Sequence, residues 1–426
     1  MFTILKNVRY LRFWLGQIVS QLGDGITRTA IVYLIAILSK DPLAIGLALF
    51  AQLLPNAIFG IVLGPLADKY NRRHLMVAAD LYRCIIVLLM IPFHHSVTAL
   101  IILIAFQGLG SALFDPARSS SIPDLAGESN IQEAISLSQS TRAAMDIIGP
   151  SLGALLMVSK NFSLIFLLDA ATFIISALFI FSIASLGTVK SKDSTSKEKY
   201  IDAIRSGIKE VTKMPALRFL LILLMPITLV IGVLNTNLIA VLTNVFHVSA
   251  FHFGTIEATM SVGVILGAAA AAPYSLKKLK PAAVLLTGTA AIGFWMAFIL
   301  PLNTLRLEFG IAPVYVWCII SGLLNAFINV PLSSLFLQST PAAFRGRGSS
   351  LLGFVASSFQ MAGILAGGWI AREIGVLNGT ALAGCLLIVT AILLPLLKGY
   401  KTLAGSLGGS ASPVSPTINS NSAGEI

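Results

Sequence analysis

Charged residues are scarce in this sequence. Asp, Glu, Lys and Arg make up 11% of its 426 residues, whereas a soluble domain carries about 25%. Apolar types make up 56% and fall in blocks of about 20 residues or more, the length that crosses a hydrocarbon layer of about 30 Å. This composition excludes a water-soluble globular protein and predicts an all-α membrane protein.

Cysteine and histidine are also rare. The three cysteines, Cys84, Cys318 and Cys385, all lie in apolar blocks, where a small buried hydrophobe explains them better than redox chemistry. The five histidines lack metal-ligand spacing. The sequence also lacks a phosphate-cradling loop and a Ser/His/Asp constellation. We therefore expect no metal, no cofactor, no direct ATP drive and no enzymatic activity.

The apolar blocks predict twelve membrane-spanning helices. The first block holds Asp24 and Arg28 and is too long for a signal peptide, so it is expected to be a retained helix. The predicted spans, numbered one to twelve, cover residues 12–38, 43–66, 75–94, 97–117, 133–159, 163–186, 217–246, 250–273, 282–301, 311–337, 348–371 and 376–397.

The longest polar interruption divides these spans six and six. We predict an N-terminal six-helix bundle over residues 1–186 and a C-terminal six-helix bundle over 217–398. The cytoplasmic linker between them, 187–216, has apolar residues at helical spacing from Tyr200 to Val211, which indicates an amphipathic helix on the membrane surface. Residues 399–426 are predicted to be a disordered cytoplasmic tail, because Ser, Gly and Pro dominate them.

The basic residues indicate the orientation in the membrane. The formal charge is +11, and most of the 29 Lys and Arg residues lie before span one, in every second loop, or after span twelve. By the positive-inside rule, these segments and both termini are cytoplasmic, as in a multi-pass protein of the inner or plasma membrane. The basic excess thus reports topology, and no feature supports nucleic-acid binding.

Two patterns tend to recur every third span. Glycines four residues apart occur in spans two, five, eight and eleven, and such pairs let helix backbones approach closely and slide. They are Gly60/Gly64, Gly149/Gly153, Gly263/Gly267 and Gly363/Gly367. Unspecific helix packing is the alternative explanation.

The second pattern consists of polar side chains on one helix face, which are costly in a bilayer unless they line a cavity. The stripes are Gln17, Gln21, Asp24 and Arg28 in span one, Gln107, Ser111, Asp115 and Arg118 in span four, Ser321, Asn325, Asn329 and Ser333 in span ten, and a weaker Thr228 and Asn235 in span seven. Spans one, four, seven and ten are therefore expected to surround a shared cavity. Asp169 with Thr172 and Ser176 in span six, and Asp80 with Arg83 in span three, show that the period is only a tendency.

The loop after span two reads GPLADKYNRRHLM, residues 64–76, and resembles a loop motif of the major facilitator superfamily. The matching residues are Gly64, Leu66, Asp68, Lys69, Arg72 and Arg73. Asn71 replaces a glycine, and asparagine is the side chain that best tolerates a left-handed turn after glycine. The resemblance implies two six-helix bundles, each of two inverted three-helix repeats, and a gate in which Asp68 docks on the start of span eleven when the transporter opens outward.

Other segments resemble particular branches of that superfamily. Gly149, Pro150 and Gly153 in MDIIGPSLGALL are similar to the core of its antiporter motif, which favours export; simple helix packing is the rival explanation. Pro150 is expected to kink its helix and free a carbonyl. Ile104 stands where the arginine linked to proton coupling would fall. The segment RFWLGQIVSQLGDGI resembles drug exporters, including macrolide and enterobactin exporters.

These observations predict proton-driven export of small amphiphilic or hydrophobic molecules by alternating access. The proton-coupling candidates are Asp24, Glu257, Asp115 and Asp146, and the cavity candidates are Gln21, Arg28, Gln107, Asn235, Asn325 and Asn329. The expected partners are a small-molecule substrate, protons and membrane lipid, and the protein is expected to be a monomer. A lipid translocator or nutrient importer of the same fold, and a non-transporting scaffold or receptor, are the alternatives.

Overall fold

The computed structural model describes residues 3–183, 215–277, 281–340 and 345–396. In these ranges the chain forms thirteen α-helices and no strand. They are α1 (Val8–Ser39), α2 (Pro42–Lys69), α3 (Arg72–Phe93), α4 (Val97–Ala126), α5 (Ile131–Met157), α6 (Phe162–Phe181), α7 (Pro215–Ala240), α8 (Ala250–Lys277), α9 (Pro281–Ala297), α10 (Ile299–Phe309), α11 (Ala312–Ser339), α12 (Arg345–Ile374) and α13 (Val376–Leu393).

Ten of the described helices are long and apolar enough to cross a membrane. The pair α9 and α10, which meet at a 51° bend, would add an eleventh span. Helix α5 falls outside this set because its first sixteen residues are polar, with Glu133, Arg142 and Asp146. The chain is thus an all-helical, multi-pass membrane protein.

Two of the predicted boundaries differ most from the structure. Span nine was expected to end at 301, but a second helix, α10, continues from Ile299 to Phe309. Span four was expected over 97–117, whereas α4 reaches Ala126 and contains Pro116 and Pro123. Spans ten, eleven and twelve correspond to α11, α12 and α13. The predicted amphipathic helix Tyr200–Val211 and the predicted tail lie outside the described residues.

Helix pairing follows one scheme in the N-terminal half (residues 3–183) and the C-terminal half (residues 215–396). In the N-terminal half α1 packs on α5, α2 on α4, and α3 on α6. In the C-terminal half α7 packs on α12, α8 on α11, and α9 on α13. The two halves thus use the same order of neighbours, as expected of a repeated architecture.

Three of the four predicted glycine pairs, in α5, α8 and α12, lie at contacts inside each half. A Cβ added at Gly363 would come within 3 Å of the backbone of Leu229 on α7. Likewise Gly149 faces Gly25 of α1, and Gly263 and Gly267 face α11. The small residues therefore bring α5 against α1, α8 against α11 and α12 against α7, where backbones touch directly.

Other residues join the two halves at the end of the molecule that carries the α1–α2 turn. We call this end the closed end. Gly46 of α2 lies against the backbone of Ile364 on α12. Asp41 pairs with Arg372 at 3.8 Å, and Asn244 donates to the carbonyl of Lys40 at 2.9 Å. Helices α2 and α12, and likewise α5 and α8, form the main contacts between the halves.

Candidate functional site

The polar stripe of α1 lines a cavity of about 330 Å³. The cavity extends from Val32 toward Gln17, away from the closed end, and residues three or four apart on α1 share its wall. Its polar lining consists of Gln17, Ser20, Gln21, Asp24 and Arg28 of α1, Gln52 and Asn56 of α2, Arg83 of α3, Gln107, Ser111, Asp115 and Arg118 of α4, and Arg142 and Asp146 of α5.

All the described residues that line this cavity come from the N-terminal half. The predicted α1 and α4 stripes face it together, and the α2 amides join them. Asn235 of α7 and Asn325 and Asn329 of α11 lie elsewhere: Asn329 donates to the side-chain oxygen of Asn325 at 2.6 Å, along one face of α11. Their assignment as cavity contacts stays a prediction.

Arg83 is the centre of the charges at this site. Its guanidinium pairs with Asp80 one turn back on α3 and lies 3.3 Å from the carboxylate of Asp24. The rings of Phe114 and Phe173 lie over it, with centroids at 4.6 and 4.5 Å. The ion-pair partner of Asp24 is therefore Arg83 of α3, and not Arg28, its neighbour one turn along α1.

Two carboxyls lie behind the cavity wall and complete this cluster. Asp80 is fully buried and accepts a hydrogen bond from Ser176 of α6 at 2.8 Å. Asp169 of α6 is buried as well, and one of its oxygens accepts from Thr172 at 3.2 Å. The site prediction omitted both residues. For Asp80 the sequence held a usable signal, because an acid and a base, Asp80 and Arg83, lie three residues apart in one apolar span.

A second ion pair lies within α4, and its arginine also forms a hydrogen bond with α1 across the cavity. Arg118 donates to Asp115 at 3.3 Å and to the side-chain oxygen of Gln17 at 3.4 Å. Asp115 is thus neutralised within its own helix. Among the described residues, no group of three His, Cys, Asp or Glu side chains could hold a metal ion.

Glu257 lies on α8 at the seam between the two halves. It is half-buried, and the hydroxyl of Thr29 on α1 donates to it at 2.7 Å. It does not line the cavity of the N-terminal half, among whose described wall residues it is absent. Its carboxyl is placed to respond to movement of α8 relative to α1.

Pro150 opens a hydrogen-bonding position between the halves. Helix α5 runs as one α-helix from Ile131 to Met157, but Pro150 has no N–H to donate to the carbonyl of Asp146, four residues back. Ser261 of α8 donates to that carbonyl at 3.1 Å. The predicted free carbonyl is thus used by the opposite half. Gly254 of α8 packs against the Pro150 backbone nearby.

The loop motif forms the turn between α2 and α3. Asn71 has φ −63°, so the expectation of a left-handed turn was wrong; its side chain instead caps α3 by accepting from the Arg73 N–H at 3.0 Å. Arg72 pairs with Asp124 of α4 at 2.7 Å. Gly64, Asp68 and Lys69 lie in the last two turns of α2, and the docking of Asp68 stays a prediction.

The membrane-spanning helices form two halves with the same pairing of helices. The halves touch at one end of the molecule, and a polar cavity lies away from that end. These features define a membrane transporter. The family model of the Major Facilitator Superfamily matches residues 13–363. The chain belongs to the Major Facilitator Superfamily, and it is a transporter rather than an enzyme.

Relatives and solved structures agree with this assignment. The chain is 26% identical to the uncharacterized MFS-type transporter YfiS of Bacillus subtilis over 387 residues, which cover 89% of this chain and 90% of YfiS. It is 23% identical to macrolide efflux protein A of Streptococcus pyogenes over 401 residues, 93% of this chain and 98% of that protein.

Solved structures share the fold at low sequence identity. The nucleoside transporter NupG matches with a TM-score of 0.68 at 15% identity, over 94% of this chain and all of that one. A bacterial homologue of the iron transporter ferroportin, in an inward-facing state, matches with a TM-score of 0.70 at 14% identity, over 91% of this chain and 98% of that one.

Proposed function

We propose that this transporter exports small amphiphilic or hydrophobic molecules, including macrolide-like drugs, in exchange for protons. The observation that carries the proposal is the cavity of the N-terminal half, whose wall combines apolar residues such as Val32 and Phe114 with amides and charges. Such a wall suits a cargo that is mostly apolar with a few polar groups. The likeness to macrolide efflux protein A supports the same cargo class.

The proposed orientation places both termini in the cytoplasm, with twelve spans in the inner membrane. The twelve are α1 to α8, the bent pair α9 and α10 as one span, and α11 to α13. The distribution of Lys and Arg supports this topology. The closed end then faces outward and cargo enters the cavity from the cytoplasm. The transporter acts as a monomer, with lipid as its surroundings.

Proton exchange is proposed to use carboxyls at two places, the cavity and the moving seam between the halves. Asp24 lines the cavity and pairs with buried Arg83. Glu257 bonds to Thr29 across the halves. Asp115 and Asp146 are further candidates, but Asp115 is already paired with Arg118. Cargo and proton would compete for Asp24, which is the basis of antiport.

The two family motifs are proposed to serve the change of conformation. In the outward-open state Asp68 would dock on the start of α12 and hold the cytoplasmic side shut. In the state described here Pro150 and Gly149 bring α5 against α8 and α1. Separation of α5 from α8 would open the closed end and release cargo outward.

Flux in liposomes tests the proposal. Purified protein is reconstituted, a pH gradient is imposed, and accumulation of ethidium or erythromycin is measured. We expect gradient-dependent accumulation for the wild type. Absence of gradient-dependent flux for a broad set of amphiphiles would refute the proposal that the protein is an exporter.

Variants locate the coupling carboxyl. Asp24→Asn and Glu257→Gln keep the side-chain shape and remove the charge, and we expect each to lose accumulation driven by the gradient. Glu308→Gln, at an exposed carboxyl near the end of α10, is the matched control and should behave as wild type. Equal flux in Asp24→Asn would remove that residue from the mechanism without affecting the export proposal.

Direction is tested in membrane vesicles. Inside-out vesicles energised by respiration should accumulate the dye, because their lumen corresponds to the outside of the cell. Accumulation only in right-side-out vesicles would identify an importer. A protein with no flux in either orientation would favour the scaffold or receptor alternative.

A further inference from the structure

The buried cluster next to the cavity has more acids than bases. Arg83 is a single cation, and Asp24 and Asp80 already pair with it. Asp169, which is 1% exposed, makes no ion pair with any described base. An ionised carboxylate in such a position would be an uncompensated buried charge, which is strongly unfavourable.

Unpartnered polar atoms surround the third carboxyl. One oxygen of Asp169 makes no hydrogen bond, although the side chain of Thr27, a residue of α1 that is also 1% exposed, interacts with this carboxyl. Nε of Arg83 is a second buried atom without a partner. Buried polar groups are rarely left in this state, so the site is short of a ligand.

A proton fits this site better than a metal cation. The backbone of α1 presses on the carboxyl at Gly23, where an added Cβ would come within 3 Å of both Asp169 and Thr172. A sodium ion would need several oxygens around it, and it would lie close to the guanidinium of Arg83. A proton needs neither space nor further ligands.

The other titratable groups near Asp169 are known for each helix that packs against α6. On α1 they are Asp24 and Arg28, and on α3 they are Asp80, Arg83 and Cys84. On α5 they are Arg142 and Asp146, which lie in the cavity wall, and Glu133, which lies beside Ile4. Arg28 is exposed in the cavity, whereas Arg83 is buried, so Arg83 is the cation placed to compensate an ionised Asp169.

We propose that Asp169 is a proton-binding site of the transport cycle, occupied while Arg83 remains paired with Asp24. When cargo in the cavity takes Asp24 away from Arg83, the guanidinium lacks one carboxylate. The O–H bond of Asp169 then breaks, its proton passes to water in the cavity, and the new carboxylate pairs with the free Nε–H of Arg83. This inference rests on the proposed proton-coupled export and adds Asp169 to its carboxyls, as a proton site behind Asp24.

Infrared spectroscopy of the purified protein without cargo tests the occupied state. At neutral pH the wild type should show a carboxylic-acid carbonyl band that is lost in Asp169→Asn and retained in Glu308→Gln. Persistence of the whole band in Asp169→Asn would overturn the proposal. If Asp169→Asn cannot be purified, Asp169→Glu replaces it: the band should shift in frequency, and an unshifted band would refute the site.

Proton release on addition of ethidium, followed with a pH indicator in weakly buffered detergent solution, tests the coupling. The wild type and Glu308→Gln should release protons, whereas Asp169→Asn should bind ethidium within a few-fold of the wild-type affinity and release none. Unchanged release in Asp169→Asn would overturn the coupling role. A wild type without pH-driven flux would instead contradict the proposed function, and the infrared band would still decide whether Asp169 holds a proton.

Discussion

Removal of the Arg83 charge should be among the most destabilising single changes in the N-terminal half. The guanidinium is 4% exposed and Asp80 is 0% exposed. Arg83→Met keeps much of the apolar packing against Phe114 and Phe173 but leaves the carboxylate of Asp80 with only the Ser176 hydrogen bond. Breaking a buried pair in this way costs about 3–5 kcal/mol. Asp24 adds little, because it is 37% exposed and screened by cavity water.

Unfolding in mixed detergent micelles, followed by the fluorescence of the four tryptophans, measures this loss. The double variant Asp80→Asn/Arg83→Met should recover most of it, because a neutral buried pair leaves no uncompensated charge. Arg28→Met is the matched control: Arg28 is exposed in the same cavity, and its loss should change stability by about 0.5 kcal/mol or less.

Two results would refute this reasoning. If Arg83→Met were as stable as Arg28→Met, the guanidinium would not be a buried partner of Asp80. If the double variant were as unstable as the sum of its single variants, the two side chains would act independently. Either result would also remove the basis for Arg83 as the alternative partner of Asp169.

The glycine contacts, and the Asp146 carbonyl that Pro150 leaves free, give two further predictions. Gly363→Ala should destabilise the protein by about 1–3 kcal/mol through overpacking on α7. Gly353 has open space around it, so Gly353→Ala should instead stabilise the protein by about 0.5–1 kcal/mol. Equal unfolding curves for the two variants would contradict this contrast. Pro150→Ala restores an N–H that competes with Ser261 for the Asp146 carbonyl. The distance between spin labels at the adjoining ends of α5 and α8 should therefore increase, and Ser261→Ala should have the same effect. Unchanged distances would argue against this contact.

Hydropathy predicted the order of the helices well because membrane thickness imposes a length on each span. It was less successful where local geometry decides. The bend between α9 and α10 falls after Ala297, four residues before Pro301, which has no N–H to donate to the Ala297 carbonyl. This proline marks the bend, which hydropathy alone does not register. Helix α4 contains Pro116 and continues past residue 117 through Pro123, where the chain has already become polar.

The candidate site was predictable only in part. Residues three or four apart share a helix face, so the polar stripes of α1 and α4 were identified together with the cavity they line. The partner of Asp24 could not be identified, because Arg83 lies 59 residues away on another helix. The spacing of Asn325 and Asn329 places them on one face of α11. The direction of that face relative to the cavity depends on how α11 packs in three dimensions, which the spacing does not determine.

The cavity wall has a consequence for how such a protein can diversify. All of its described lining residues are encoded in the first 150 positions, and the C-terminal half contributes contacts at the closed end and the seam. Under the proposed function, cargo preference would be inherited with the N-terminal half, whereas closure depends on contacts that both halves supply. Recombination between relatives near residue 200 would keep the cavity wall intact and give its closing contacts new partners.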